Sequence, residues 1–263
     1  EGITKTRKIS YYIMQVDLLL PTSLSEIPLS RYQSFLKTKE ASNDEEFIAQ
    51  KMIQIFCGVE LGEVAKIKLK NLNELIVHFT KVFSEKPKLI RRFKIKNIEF
   101  GFIPKLDDIT FGEYVDLENH LKDWSTYHKA MAVMYRPIKD KYKDKYSIVD
   151  YEPNEDMQDL MKFAPLDVAI SASVFFWSLG SELLNLTISY LQRELKTMTS
   201  SQNTPSDSSL DVSGDGIQAS MHSLKEICAD MTKLQDTNLL NVSPISRSKS
   251  RKTKSKPMKL TDK

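Results

Sequence analysis

This sequence predicts a single α+β domain, mainly helical, with one central β-hairpin and a disordered C-terminal tail. Three observations carry that expectation. Apolar residues recur at helical spacing through most of residues 14–196. The spacing changes to alternation between Phe93 and Ile103. From Thr197 the chain turns to Ser, Asp and Thr, with too few apolar residues to offset the entropy of ordering.

Val16 to Leu20 reads as a strand ended by Pro21. Ser25 or Ser30 caps a short helix that carries Tyr32, Phe35 and Leu36 on one face. Asn43, Asp44, Glu45 and Glu46 mark a helix start, because acids favour the positive end of the helix dipole. Phe47, Ile48, Met52, Ile55 and Phe56 then follow at helical spacing, and Gly58 stops the helix. Leu61 to Ile67 adds a turn or two. Asn71 opens a helix with Leu72, Leu75, Ile76, Phe79 and Phe83 inward, closed near Pro87.

The hairpin turns at Lys96-Asn97, with Phe93, Ile95, Ile98, Phe100 and Phe102 alternating around it. Thr110 caps a helix from Phe111 to about Leu121, and a second runs from Thr126 to Tyr135 before Pro137. The 139–146 stretch, rich in Lys, Asp and Tyr, reads as a loop, with an edge strand from Tyr146 to Val149. Asn154 opens a helix to about Phe163, and Pro165 starts the longest one, to about Lys196. Phe100, Phe102, Phe111, Tyr114 and Trp124 are expected to form one packed cluster.

The domain thus spans 14–196. Residues 1–13 are expected to be a flexible extension, since Met14 directly precedes the first regular pattern. A disordered Ser/Asp-rich linker (197–220), a short amphipathic helix (221–236) and a basic disordered tail (237–263) follow.

Composition excludes several classes. Only 8 glycines argues against a Gly-rich nucleotide-binding fold, and no phosphate-loop or nucleophile-elbow pattern occurs. The net charge of +3 comes from the tail; without it the rest is slightly acidic and has no electrostatic case for nucleic acid. Cys57 and Cys228 lie in unlike contexts, which favours reduced thiols. Leu166 to Leu191 is the most apolar stretch, but Asp167, Glu182, Asn185 and several serines make it read as a buried helix rather than a membrane span.

No catalytic, cofactor or metal site emerges. His78, His120, His128 and His222 lack metal-ligand spacing. Asp107 and Asp108 read as a turn plus helix cap rather than a carboxylate pair, and Glu113, Asp116 and Glu118 do not all share one helix face. Arg136 reads as a structural arginine beside an acid. Asp211 to Gly216 imitates the opening of a calcium loop, but His222 stands where its bidentate Glu belongs.

Partner binding is the chemistry that remains. Met221, Leu224, Ile227, Met231 and Leu234 line one helical face, a helix-in-groove pattern. Arg247, Lys249, Arg251 and Lys252 follow it and favour an acidic surface or nucleic acid.

The strings LLLPTSLSEIPLSRYQSFL, EEFIAQKMIQIFCGV, FGFIPKLDDITFGEYVDLE, HKAMAVMYRPI and PLDVAISASVFF resemble the tail assembly chaperones of tailed bacteriophages, over about residues 14 to 196. That resemblance implies a non-enzymatic protein without a cofactor, acting in the infected host's cytoplasm. Its partner would be the tape-measure protein, addressed through a variable C-terminal extension. A structural virion protein (neck, connector or tail component) and a nucleic-acid-binding accessory protein acting through the basic tail are the rival expectations.

Overall fold

In a computed structural model of the chain, the residues described are 18–200, 222 and 239–245. They form the expected α+β domain, mainly helical, around one core.

Helix α1 (Leu29–Ala41) begins behind Pro28 with no side-chain cap. Its start is fixed by tertiary pairing instead: Leu29 N–H donates to Ala164 O, and Leu166 N–H donates to Ile27 O. Helix α2 (Glu45–Cys57) starts within the expected acidic run, with Asp44 as its cap. The Asp44 carboxylate accepts from Glu46 and Phe47 N–H, and Gly58 closes the helix at φ 69°. A short helix α3 (Leu61–Val64) leads to α4 (Leu69–Phe83), which buries Leu72, Leu75, Ile76, Phe79 and Phe83 as its periodicity predicts. Rings join these helices: Phe56 lies 5.4 Å from both Phe35 and Phe79 and 5.3 Å from Phe83.

The hairpin is present as β1 (Arg92–Ile95) and β2 (Ile98–Phe102), with Lys96 in the left-handed region at the turn. It is half of a larger sheet. Strands β3 (Tyr135–Tyr142) and β4 (Lys145–Ile148) extend it to four antiparallel strands in the order β1-β2-β3-β4. The 139–146 stretch is therefore mostly strand, not loop. Lysines and aspartates suit strands whose outer faces meet water, and the register shift between Ile138 and Asp140 accommodates Pro137 inside a paired strand. Leu18 to Leu20 forms no strand, since the sheet is completed without it.

Helix α5 (Phe111–Leu121) opens with a complete capping box between Thr110 and Glu113. It turns Glu113 and Leu117 inward, which leaves Phe111 82% exposed and Tyr114 exposed. The expected five-ring cluster is thus divided. Phe100 and Phe102 are buried in the sheet, while Trp124 stacks on Tyr127 (4.5 Å) and meets Tyr32 edge-on (5.2 Å). Helices α6 (Tyr127–Met134) and α7 (Glu155–Met161, capped by Asn154) complete the layer behind β3.

Helix α8 (Leu166–Ser200) is the longest element. Leu166, Val168, Ala169, Ile170 and Ala172 are buried, and Phe175 and Phe176 pack on Phe102 at 5.6 and 6.1 Å. Beyond them exposure rises. The expectation of a buried helix holds only for its first turns.

Leu239–Ile245 belongs to the stretch expected to be a disordered tail, and here it is docked on the body. Leu240 is fully buried, Val242 nearly so, and Leu239 and Ile245 pack against the core. Four apolar residues within seven supply the burial that the average composition of 237–263 conceals.

Candidate functional site

The polar crevice beside α5 and β3 is the place where charged groups gather. A cavity of about 490 Å³ is lined by Thr110, Glu113, Arg136, Tyr146, Asp150 and Tyr151, among others. Several of its groups are already engaged within the domain. Arg136 Nη2 lies 2.7 Å from Glu113 Oε1, with side chains 12% and 4% exposed. Thr110 N–H donates to Glu113 Oε2 at 2.7 Å, closing the helix cap with the same carboxylate. Tyr151 Oη donates to Asp116 Oδ2 at 2.6 Å, and Tyr146 Oη to Phe102 O at 2.7 Å. Burial, then that carboxylate, push the Tyr151 phenol above its ordinary value, so it stays a donor. Arg136 is the structural arginine that the sequence implied.

Other titratable groups serve packing as well. Gln33 Nε2 donates towards His128 Nδ1 at 3.0 Å. Burial first, then the nearby positive charges of Lys162 and Lys129, hold that imidazole at about 4. His128 is therefore a neutral core residue. His78 Nε2 pairs with Pro21 O at 2.8 Å. Burial pushes the buried Cys57 thiol up to about 12, far from the thiolate a nucleophile needs. Among the described residues, no group of His, Cys, Asp and Glu could hold a metal ion.

The surface with the strongest bias towards a partner is on α8. Phe176, Leu179, Leu183, Leu186 and Tyr190 follow one another three, four, three and four residues apart, the a/d spacing of a two-helix seam. Phe176 sits on the body; further out, Leu183, Leu186 and Tyr190 are 57%, 60% and 58% exposed. Ile188, on the opposite side of the helix, is buried. A helix apolar on two faces is built to be covered on both.

Of the residues singled out for partner binding, Met221, Leu224, Ile227, Met231, Leu234, Arg247, Lys249, Arg251 and Lys252 all lie outside the described residues. So do the N-terminal extension 1–13 and nearly all of the 197–236 stretch. The α8 stripe is hidden in the sequence because Leu166 to Leu191 reads as one buried helix. Only exposure separates its core turns from its open ones. No protein-family description, curated protein or solved structure matches this chain.

Proposed function

We propose that this protein is a non-enzymatic assembly chaperone of the phage-tail kind, which holds an apolar helical segment of a tape-measure protein until tail subunits enclose it. The open stripe on α8 carries this reading. It offers Leu183, Leu186 and Tyr190, exposed at the spacing an amphipathic partner helix requires. The sequence resemblance over residues 14–196 supplies the partner, and the host cytoplasm as the place of action.

Helix α8 is also long and apolar enough to cross a membrane by composition alone. The docked segment argues against that use. A single crossing would put Leu239 on the far side from Tyr32, whose hydroxyl it accepts. Residues 201–238 contain no apolar run fit for a return crossing.

The test is co-expression with the tape-measure protein of the same genome, using the intact chain and Leu183→Asp plus Leu186→Asp. The intact chain should keep the partner in the soluble fraction, and the variant should lose most of that effect. Equal solubility with either chain removes α8 from the mechanism, and no effect from both removes the chaperone reading. Stoichiometric recovery of the protein in purified particles would replace it with a structural virion role.

A further inference from the structure

Leu239–Ile245 lies on the body as a ligand lies in a site. At one end the Tyr32 hydroxyl, on α1, donates to Leu239 O at 3.1 Å. At the other end the Asn73 side chain, on α4, makes a two-point contact: Nδ2 donates to Ile245 O at 3.1 Å, and Ile245 N–H donates to Oδ1 at 2.9 Å. A side-chain amide has one acceptor and a donor at strand-like spacing, so Asn73 reads peptide backbone and not side-chain identity. Between these ends Leu240 and Val242 are buried, while Asn241, Ser243 and Pro244 face outward. Backbone contacts combined with pockets for selected side chains are how peptide sites obtain affinity and selectivity separately.

The receiving surface is fixed independently of the segment. The Tyr32 ring is held by Phe83 at 5.8 Å and Trp124 at 5.2 Å, and Asn73 stands in the first turns of a helix whose inner face is core. The segment also has a conformational signature. Asn241 adopts φ 43°, a left-handed conformation that Asn and Gly take readily and β-branched residues do not. Pro244 limits the conformations of the free peptide and so reduces what is lost on docking. A connection of 38 residues, 201–238, separates it in sequence from the end of α8.

We infer that the face between α1 and α4 is a peptide-recognition site for the pattern Leu-Asn/Gly-Val-x-x-Ile. The chain's own Leu239–Ile245 is its tethered occupant, and a partner peptide carrying the same pattern displaces it. The site is distinct from the α8 stripe and does not depend on the chaperone reading. Tethering makes it selective, because an incoming peptide competes with an occupant at an effective concentration on the order of millimolar.

A labelled synthetic peptide of residues 237–247, followed by anisotropy with the full chain, tests this. The variant Leu240→Asp plus Val242→Asp empties the site and should bind the peptide about tenfold or more tighter than the unaltered chain does. Adding Asn73→Ala to that variant should weaken binding about tenfold again, and a peptide with Asn241→Val should bind as poorly. No binding to the emptied variant, or binding indifferent to Asn73, overturns the proposal. A second measurement needs no variant. Unlabelled peptide in millimolar excess over the isotope-labelled unaltered chain should speed amide exchange from Leu240 to Ile245, and unchanged exchange would overturn it too.

Discussion

Glu113→Ala should destabilise the domain more than any other single change to a charged side chain described here. Two losses combine. The carboxylate accepts Thr110 N–H at 2.7 Å, and removing a helix cap costs about 1 kcal/mol. It also neutralises Arg136 at 2.7 Å, and stripping one partner from a buried pair costs roughly 3–5 kcal/mol, because the other charge stays behind. Arg136 is poorly placed to recover. Its Nε is buried without a hydrogen-bond partner among the described residues, and its backbone is held in β3 opposite Gly101 of β2. The sum, about 4–6 kcal/mol, is a large part of a domain stability of about 5–15 kcal/mol. Urea unfolding with a constant slope measures it. In an Arg136→Met background the charge term vanishes, so Glu113→Ala should cost only the cap, about 1 kcal/mol. The cycle should therefore report a coupling of about 3–5 kcal/mol. A coupling below about 1 kcal/mol would show that solvent reaches the pair and that the crevice is looser than its burial implies.

Three further outcomes follow from geometry. His128 sits at about 4 when folded against 6.5 when free, so the unfolded chain takes up the proton first on acidification. The stability this neutral ring contributes is intact above pH 6.5 and lost as pH falls towards 4. It amounts to about 2 kcal/mol, discounted from the full shift for solvent screening; a ring titrating near 6.5 by NMR would contradict this. Gly101→Ala would push a methyl group into the Tyr146 ring and towards Ile138 Cγ1 at 3.1 Å, costing about 1–3 kcal/mol in a melt, and less in a Tyr146→Ala background. Phe102→Ala should cost about 3–5 kcal/mol, whereas Phe111→Ala and the Leu183→Asp, Leu186→Asp pair should each stay within about 0.5 kcal/mol of the parent, because those side chains face water.

Local chemistry was legible where it was self-contained. Asp44, Thr110 and Asn154 each cap the helix that their sequence context announced, and Gly58 ends α2 in the left-handed conformation only glycine takes cheaply. Lys96-Asn97 turns the hairpin as its alternating flanks implied. Features set by distant partners were hidden. The start of α1 is fixed by Ala164, more than a hundred residues away, and not by Ser25 or Ser30. Strands β3 and β4 are rich in Lys and Asp and gain their identity from pairing with β2, not from propensity. Phe111 and Tyr114 look like core by composition, yet the helix phase set by Glu113 and Leu117 turns them outward. The docked Leu239–Ile245 segment was masked by its polar and basic neighbours, because a composition average over a tail cannot see four anchors.

The two surfaces left over once structural roles are assigned share a logic that the crevice lacks. In the crevice Glu113, Arg136, Tyr146 and Tyr151 each have a partner within the domain, which is the mark of a folding device. On α8 the core turns fix the direction of the helix, and Leu183, Leu186 and Tyr190 beyond them face outward rather than into the core. From Leu179 to Tyr190 the stripe spans about 16 Å at the helical rise of 1.5 Å per residue. A partner matching that length needs about 12 residues of amphipathic helix, a length at which an isolated helix is only marginally stable in water. On the proposed reading, docking therefore stabilises a segment that would otherwise expose its apolar face. The open stripe is the feature that selects such a segment, because it rewards an a/d register over mere hydrophobicity. A client lacking that register would bury less of Leu183, Leu186 and Tyr190 together, and so would compete poorly for the same face.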